Sequence, residues 1–427
     1  MAAGVGRRLS PHRGERVGAV RSVTYRLYPT ARHLVALEEL LEVQRQLYNA
    51  ALEERRGAWR WERRVVTRYD QYDGLTGAAD WCPELARFGR RVAQGTLDRL
   101  DEAFGHFLRR VGTGEKPGFP RFKSRSRWDS VQWSNAGGSW KLTPTGKGTY
   151  GRLYLQGVGH VSVKLHRHFD DARPVKLVVR RRPRGWDATV VYRGVAVERL
   201  PATGRSAGVD VGVAVLAAIA DDHGAVELVA NPAPLTRALR RLEAAQQALA
   251  ACQKGSNRRR RARKRVTRIH QQARQLRRQS AHHLSARLVA NYDLIAIEDL
   301  RITNMTRSAR GTLDAPGTNV AAKAGLNRSI LDAGWGQLVH MLTYKAEGAG
   351  RKLVRVPAHH TSQTCARCGT TDRASRPDRD HFTCTTCHHT AHADANAAQV
   401  ILALATGGLS IQPPPTSRPG SGHRDAA

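Results

Sequence analysis

Residues 207–220 have the sequence AGVDVGVAVLAAIA, an apolar run that one carboxylate, Asp210, interrupts. A second apolar run, LIAI, ends at Glu298, and Asp394 stands just before the apolar residues 395–405, ANAAQVILALA. The first two runs have the apolar, β-branched character of buried strands, whereas the third has the length of a helix. We therefore expect an α/β arrangement in which three distant carboxylates each adjoin a buried element.

Each of these carboxylates has an ordinary explanation when it is taken alone. An aspartate in an apolar strand, such as Asp210, is more often a turn or edge residue than a ligand. Glu298 is followed by Asp299, and one of these two acids can be a solvated surface residue. An aspartate at the start of a helix, such as Asp394, is most often an N-cap. Together, however, clustered carboxylates can hold two divalent ions about 4 Å apart for phosphodiester hydrolysis. Oxygen ligands favour Mg²⁺ or Mn²⁺. The sequence therefore predicts a catalytic metal site formed by Asp210, Glu298 and Asp394.

Four of the six cysteines form two Cys-x2-Cys pairs. This spacing gives four thiolates tetrahedral access to one ion and predicts a closed, structural Zn²⁺ site. The predicted ligands are Cys365, Cys368, Cys384 and Cys387. Cys82 and Cys252 are isolated, and we expect them to be packed or surface thiols rather than ligands. This use of cysteine favours a reducing compartment over a disulfide framework.

The chain is strongly basic, with 70 lysines and arginines against 36 acidic residues and a formal net charge of +34. Such an excess repels itself in a compact protein unless a polyanion neutralises it, and nucleic acid is the polyanion that it favours. An arginine-rich helical pattern and the non-helical segment EKPGFPRFKSR are the predicted contacts, although a solvated charged face is the alternative for the helix. The predicted contact residues are Arg258, Arg259, Arg260, Arg261, Arg263, Lys264, Arg265, Arg121 and Lys123.

The order of patterns along the chain predicts a multidomain α+β protein. Short alternating runs across 128–200 favour a β-barrel or sandwich that a helical region interrupts. No apolar run approaches the roughly 18 to 20 residues of a membrane helix, so we expect no membrane partner. The predicted parts are a disordered basic arm over 1–20, a β-barrel domain over 21–32 and 113–203, a helical domain over 33–112 inserted in it, an α/β domain over 204–405 with a zinc module inserted over 360–390, and a disordered tail over 406–427.

The chain resembles the TnpB-type proteins of insertion sequences, the OrfB family, which are relatives of small type V CRISPR effectors. The resemblance covers about residues 21–405, and its segments occur in family order: YRLYPT, LYNAAL, GFPRFKSR, GVDVGV, NRRRRARKRVTRIH, NYDLIAIEDLRITNMTR and TSQTCARCG. It implies that the α/β domain is a RuvC-like nuclease of the RNase H fold with an inserted zinc ribbon, that the barrel is a wedge-like domain and that the helical insertion is a recognition domain. The three carboxylates match the family's nuclease residues, and the four cysteines match its zinc ligands. Where the family often has an arginine before the last aspartate, this chain has Ala393.

The resemblance implies an RNA-guided, metal-dependent DNA endonuclease associated with a transposable element. Such a protein takes a guide RNA from the transposon end, pairs it with one strand of double-stranded target DNA and cuts next to a short flanking motif. We expect a monomer with its RNA, in the cytoplasm of a bacterial or archaeal cell and associated with the nucleoid. Two alternatives stay open, namely a nuclease-inactive RNA-guided DNA-binding repressor and an accessory transposase acting in DNA transposition. The residues that recognise the flanking motif are expected in the N-terminal helical and strand regions, which include the segment from Tyr25 to Trp61.

Overall fold

The computed structural model of this chain describes residues 19–409, except 135–136, 146–148, 168, 170, 197–198 and 313–314 and the side chain of Ala79. The described residues form two compact units, of which the first ends at Ala196 and the second follows it. Most of the predicted N-terminal arm and C-terminal tail lies outside the described residues. At both boundaries the structure corrects the prediction, because Ala19 and Val20 already belong to the first strand and Thr406 still belongs to the last helix.

The first unit is built on a seven-stranded antiparallel sheet with the order β2-β6-β7-β1-β5-β4-β3. Its strands are β1 (Ala19–Tyr28), β2 (Ser130–Ser134), β3 (Trp140–Pro144), β4 (Tyr150–Leu155), β5 (Gly159–Lys164), β6 (Arg173–Arg182) and β7 (Gly185–Val195). Alternate side chains along the strands, such as Tyr25, Leu153, Val161 and Val190, are fully buried and form the core. The described strands leave β2 and β3 at the two ends of this order, so closure into a barrel stays a prediction.

The helices of the first unit all lie between β1 and β2 in the sequence. They are α1 (Ala31–Gly57), α2 (Arg68–Asp73), α3 (Ala78–Trp81), α4 (Pro83–Phe88) and α5 (Arg90–Gly112), and α1 continues into a π-helical turn at Ala58–Glu62. The predicted helical character of this region is confirmed, and on α1 the leucines Leu37, Leu40 and Leu52 are fully buried on one face. The helices α2, α3 and α4 are too short to show a periodic pattern, and the sequence did not predict them.

The second unit contains a five-stranded sheet with the order β10-β9-β8-β11-β12. Its strands are β8 (Ser206–Asp210), β9 (Val215–Asp221), β10 (Val226–Ala230), β11 (Leu294–Glu298) and β12 (Lys352–Val356). β8, β11 and β12 are parallel, whereas β9 is antiparallel to β8 and β10. The prediction of one continuous strand across 207–220 was wrong, since the chain folds back between β8 and β9. Gly212 permits this turn, because a Cβ there would lie 2.7 Å from the carbonyl oxygen of Val215.

Seven helices of the second unit are described. They are α6 (Pro234–Arg237), α7 (Leu239–Ala250), α8 (Asn257–Asn291), α9 (Ile302–Met305), α10 (Val320–Ala333), α11 (Trp335–Ala349) and α12 (Ala393–Thr406). Gly334, with a φ of +75°, separates α10 from α11. On α8, Leu284 and Leu288 are buried, whereas Leu276 is exposed. None of the described helices combines the length and the apolarity that crossing a membrane requires.

Tight packing against the sheet fixes the position of α12. A Cβ at Gly208 in β8 would lie 2.7 Å from the backbone nitrogen of Leu402 and closer still to the carbonyl oxygen of Ala398. The helix therefore rests on the backbone of β8, and it is preceded by a small two-stranded sheet of β13 (His381–Thr383) and β14 (Thr390–His392). The start of α12 is in this way held beside the strands that carry the predicted carboxylates.

Candidate active site and cysteine centre

Asp210 and Glu298 are the last residues of two neighbouring parallel strands. β8 and β11 are paired so that Val209 lies opposite Ile297, and the two carboxylates follow these partners directly. Parallel strands bring their carboxyl ends to the same edge of a sheet, which is why residues far apart in sequence meet there. Both side chains are half-buried. The predicted placement of Glu298 at a strand end is therefore what the structure shows, whereas Asp210, which was expected inside a strand, is the last residue of β8.

Asp394 is the second residue of α12, and it approaches the same edge of the sheet. Its Oδ2 lies 3.6 Å from the position that a Cβ would take at Gly212, just after β8. The cap of α12 is His392, whose Nδ1 accepts a hydrogen bond from the Asp394 backbone N–H at 3.2 Å. The ordinary explanation of Asp394 as an N-cap does not hold, because its carboxylate is directed to Arg376 instead, at 3.5 Å.

The electrostatics show that the three carboxylates influence one another. Burial, together with the negative charges of Glu298 and Asp394, raises the pKa of Asp210 to about 8, although the positive charge of Arg376 opposes this rise. Burial also raises the pKa of Glu298, while a hydrogen bond from the Thr361 hydroxyl lowers it. Crowded carboxylates with raised pKa values favour a bound cation. The cation offsets the repulsion between the negative charges, so the carboxylates can stay ionised without taking up protons.

The donor set at this edge consists of carboxylate oxygens, which fit a hard divalent ion rather than zinc. The three carboxylates are not drawn together around one point. Within the described part of the chain, only the four cysteines place all their candidate ligand atoms within 4.8 Å of one another. Arg376 holds Asp394 in the present arrangement, so its guanidinium supplies part of the positive charge that the acids require.

The four cysteines form a compact centre in the segment that precedes α12. The sulfur atoms of Cys365 and Cys387 are 3.6 Å apart, and those of Cys368 and Cys384 are 3.5 Å apart. These distances are too long for a disulfide, at about 2.05 Å, and they approach the separation of about 3.8 Å that follows from four sulfurs 2.3 Å from a tetrahedral ion. The cluster therefore fits the predicted zinc ligands, while Cys82 and Cys252 are half-buried thiols that are not among the four grouped cysteines.

Side chains that the sequence pattern did not reveal connect the cysteine segment to the carboxylates. The buried Thr361 donates to Glu298, and Arg376 contacts Asp394. On α12, the amide of the fully buried Asn396 donates to the carbonyl of Thr364 at 2.7 Å and accepts from the backbone N–H of Ala366 at 3.0 Å. The only signal for these roles was that the residues lie near the predicted ligands, since a threonine or an arginine in a polar loop has many other uses.

The predicted nucleic-acid contacts divide into exposed and structural residues. Six of the seven predicted contacts on α8 are exposed, and they are Arg258, Arg260, Arg261, Arg263, Lys264 and Arg265. Arg259 is half-buried and donates to the carbonyls of Leu249 and Cys252 at the end of α7, at 3.0 and 2.9 Å. Its role is therefore to cap the neighbouring helix.

The two predicted contacts from the non-helical segment also differ from each other. Arg121 is exposed. The ammonium of Lys123 lies 5.4 Å from the centre of the Tyr48 ring, and burial lowers its pKa. The backbone of Lys123 exchanges hydrogen bonds with the side-chain amide of Asn49, at 2.8 and 3.1 Å. Lys123 therefore helps to fasten this segment to α1.

Family models match three parts of the chain. Residues 180–309 match a model described as a probable transposase, OrfB of IS605, and residues 335–401 match the Cas12f1-like TNB domain. Residues 20–64 match a model described as a helix-turn-helix domain. In this chain, that last region contains strand β1 followed by the single long helix α1 rather than two helices.

Similar proteins and folds extend over most of the chain. "Putative RNA-guided DNA endonuclease InsQ" of Escherichia coli is 32% identical over 311 residues, which are 73% of each chain. "Putative RNA-guided DNA endonuclease" of Streptomyces pristinaespiralis is 29% identical, over 90% of this chain and 89% of that one. Cas12f1, solved with sgRNA and target DNA, has a similar fold, with a TM-score of 0.56, 13% identity and coverage of 86% of this chain and 82% of that one. The chain therefore belongs to the TnpB-type OrfB family of insertion-sequence proteins.

Proposed function

We propose that this protein is an RNA-guided, metal-dependent DNA endonuclease that is associated with a transposable element and cuts target DNA next to a short flanking motif. The names of the two bacterial relatives support the activity, and the transposase model supports the association with a mobile element. The observation that carries the proposal is the meeting of Asp210, Glu298 and Asp394 at one edge of the sheet in the second unit.

The catalytic part of the proposal assigns a role to each side chain at this edge. Asp210, Glu298 and Asp394 would hold Mg²⁺ or Mn²⁺, which, when bound, supplies activation of water and stabilisation of the leaving oxygen. The Thr361 hydroxyl fixes one oxygen of Glu298, so the other oxygen remains for the ion. Arg376 places a guanidinium beside Asp394, and this group has the geometry to bind a phosphate of the DNA backbone.

The domain assignments are part of the same proposal. Residues 204–405 would be the RuvC-like nuclease domain of the RNase H fold, and residues 360–390 would be its zinc ribbon. The closed four-thiolate site leaves no open position for substrate, so zinc would be structural. Residues 21–32 and 113–203 would form the wedge-like barrel, with the helical recognition domain over 33–112. Parallel β8 and β11 with α12 packed across them support the nuclease assignment.

The nucleic-acid partners would be guide RNA from the transposon end and double-stranded target DNA. The exposed arginines and Lys264 along one stretch of α8 support contact with phosphates, because each exposed cation can release a counterion from the backbone. Arg259 is left out of this surface, since it caps α7. We further propose that the protein acts as a monomer with its RNA, in the bacterial cytoplasm at the nucleoid.

Two substitutions in adjacent acids test the active site. We expect Glu298→Gln to abolish cutting of a matched target in Mg²⁺ and to leave bound RNA unchanged. Asp299→Asn is the matched control, because the Asp299 side chain is exposed and forms an ion pair with Arg355 at 3.3 Å instead of joining the three carboxylates of the site. We expect the control to cut at the wild-type rate.

The measurements are the RNA that co-purifies with each variant and the cleavage of labelled duplex DNA. Equal cutting by both variants would refute the site. Tight binding of the target by the wild-type protein without any cutting in Mg²⁺ would support the repressor alternative instead.

A further inference from the structure

A second surface with chemistry of its own lies at the end of α1. Residues 59–69 have the sequence WRWERRVVTRY, in which four arginines accompany one glutamate. The three aromatic side chains point into solvent, with Trp59 54%, Trp61 76% and Tyr69 61% exposed. We call the surface formed by Trp59, Arg60, Trp61, Arg63, Arg68 and Tyr69 the aromatic–arginine patch.

Each ring of the patch is accompanied by a guanidinium. The central carbon of Arg60 lies 4.7 Å from the centre of the Trp61 ring, that of Arg63 lies 5.8 Å from Trp59, and that of Arg68 lies 4.8 Å from Tyr69. A cation over one face of a ring is a stabilising contact, and each of the three aromatic residues is still more than half exposed. The patch therefore offers several flat aromatic and guanidinium surfaces side by side.

The patch is held in place rather than carried on a free loop. It begins in the π-helical turn Ala58–Glu62, and such turns are frequent at functional sites. Val66 is buried below it, and Thr67 caps α2 by accepting a hydrogen bond from the Asp70 N–H at 3.3 Å. The buried Gln71 then donates to the carbonyl of Ala51 in α1 at 2.9 Å. A ligand that stacks here would therefore bind aromatic residues whose backbone is already held in place by these contacts.

The exposure of Trp59 and Trp61 distinguishes them from most tryptophans of the chain. Five of the eight, namely Trp128, Trp133, Trp140, Trp186 and Trp335, are buried. Trp81 is the remaining one, and it is 57% exposed. Its neighbours in sequence include Asp80 and, three residues on, Glu84, which are acidic rather than basic. Trp81 therefore provides a tryptophan of matched exposure without the arginines.

Aromatic rings interleaved with arginines are what proteins use to bind unpaired nucleotides. Bases that are free of a duplex stack on aromatic side chains and on guanidinium planes, while the arginines also meet the phosphates. A duplex offers no such open base faces. A second copy of this chain is a poor occupant, because each copy carries a formal charge of +34.

We propose that the aromatic–arginine patch binds unpaired bases of RNA by stacking. The inference rests on the proposed function for the identity of the RNA, which would be the guide. RNA is favoured over the displaced DNA strand, because an exposed aromatic surface marks an interaction site and is an aggregation liability while it is uncovered. Guide RNA is present throughout the working cycle, whereas a displaced strand exists only while a target is engaged.

Paired substitutions separate stacking from simple apolar contact. In the full-length protein, Trp59→Leu with Trp61→Leu keeps apolar side chains without a π face, Trp59→Phe with Trp61→Phe keeps the face, and Trp81→Leu is the control. The probes are an unstructured single-stranded RNA, a DNA of the same sequence and the corresponding duplex. We expect the leucine pair to weaken RNA binding by about tenfold or more, as loss of base stacking does. The phenylalanine pair and Trp81→Leu should bind RNA within about twofold of the wild type.

Three outcomes would overturn the inference: unchanged RNA affinity in the leucine pair, an equal loss in the phenylalanine pair, or an equal loss in Trp81→Leu. A loss confined to the DNA probe would assign the patch to the displaced strand and would also overturn it. Thermal melting of each variant checks folding, and quenching of tryptophan fluorescence by RNA, present in the wild type and reduced in the leucine pair, reports the stacking directly. Failure of the proposed function is distinguishable, because it appears as wild-type protein that neither retains cellular RNA nor cuts DNA, whatever the oligonucleotide affinities are.

Discussion

Replacing Gly208 with alanine should separate the position of α12 from the chemistry of the carboxylates. The new Cβ would lie 2.7 Å from the backbone nitrogen of Leu402, whereas ordinary contact begins at 3.4 Å. The shortfall of 3.4 minus 2.7 is 0.7 Å, and the carbonyl of Ala398 is closer still. Since both neighbours are backbone atoms, no side chain can turn aside. The helix must retreat as a body, and Asp394 at its start must move away from Asp210.

The expected magnitudes follow from this displacement. Overpacking of a well-filled contact costs about 1–3 kcal/mol of the free energy of unfolding. A misplacement of about 1 Å in a reacting group can slow catalysis by about a hundredfold. We therefore expect Gly208→Ala to fold with a lowered melting temperature, to retain zinc and RNA, and to cut DNA about a hundredfold more slowly.

Cleavage rates under single-turnover conditions and thermal melting test this prediction together. Gly325→Ala is the matched control, because Gly325 lies within α10 and a Cβ there would meet nothing within 4 Å. Alanine in a helix interior is more favourable than glycine by about 0.5–1 kcal/mol, so the control should be at least as stable as the wild type. Wild-type cutting and melting by Gly208→Ala would refute the reasoning that contact with β8 fixes Asp394.

Three further predictions address the charges and the metals. Arg376→Ala should slow cutting by about a hundredfold without changing zinc content, as the loss of one charge-stabilising donor does; an unchanged rate would remove Arg376 from the site. Burial raises the pKa of Asp210 in the folded, metal-free protein from its ordinary value of 3.8 to about 8. Between pH 3.8 and about 8, Asp210 is therefore protonated in the folded state and ionised in the unfolded state. Since the unfolded state binds fewer protons, the free energy of unfolding should fall as pH rises through that window. Asp210→Asn should flatten this dependence in melting curves, and a slope equal to that of the wild type would contradict the burial of Asp210. Cys384→Ser should lose zinc and cutting together, and full activity in a zinc-free variant would show that the cysteine centre is dispensable.

The sequence was sufficient to predict the strands that have a uniform apolar pattern. It was also sufficient to predict the cysteine cluster, whose ligands have a regular spacing. The run before Glu298 and the pair of Cys-x2-Cys motifs are local signals, and each corresponds to a strand end or a cluster in the structure. The break between β8 and β9 was missed, because residues on both sides of Gly212 are equally apolar. Hydrophobicity reports burial but not the direction of the chain, so a tight turn inside a buried run leaves little trace.

The roles of individual basic and polar residues were harder to predict for a different reason. Arg259 and Arg260 are adjacent and chemically identical, yet only Arg259 faces the open end of α7. Which side a residue faces depends on how α8 packs, and the arginine-rich stretch has too few apolar residues to fix its rotation. Thr361 likewise becomes informative only when β11 and the cysteine segment are seen together. Tertiary contacts, and not composition, distinguish these residues.

The link between the cysteine centre and the carboxylates explains why a structural ion would matter for a distant reaction. The segment around the cysteines supplies Thr361 to Glu298 and Arg376 to Asp394, while Asn396 of α12 binds the backbone at Thr364 and Ala366. Three separate contacts therefore depend on one loop that has almost no regular secondary structure. Such a loop loses much conformational entropy on ordering, and four sulfur ligands to one ion offset that loss. Zinc at the cysteines would thus act on catalysis through the positions of the carboxylates and not through contact with DNA.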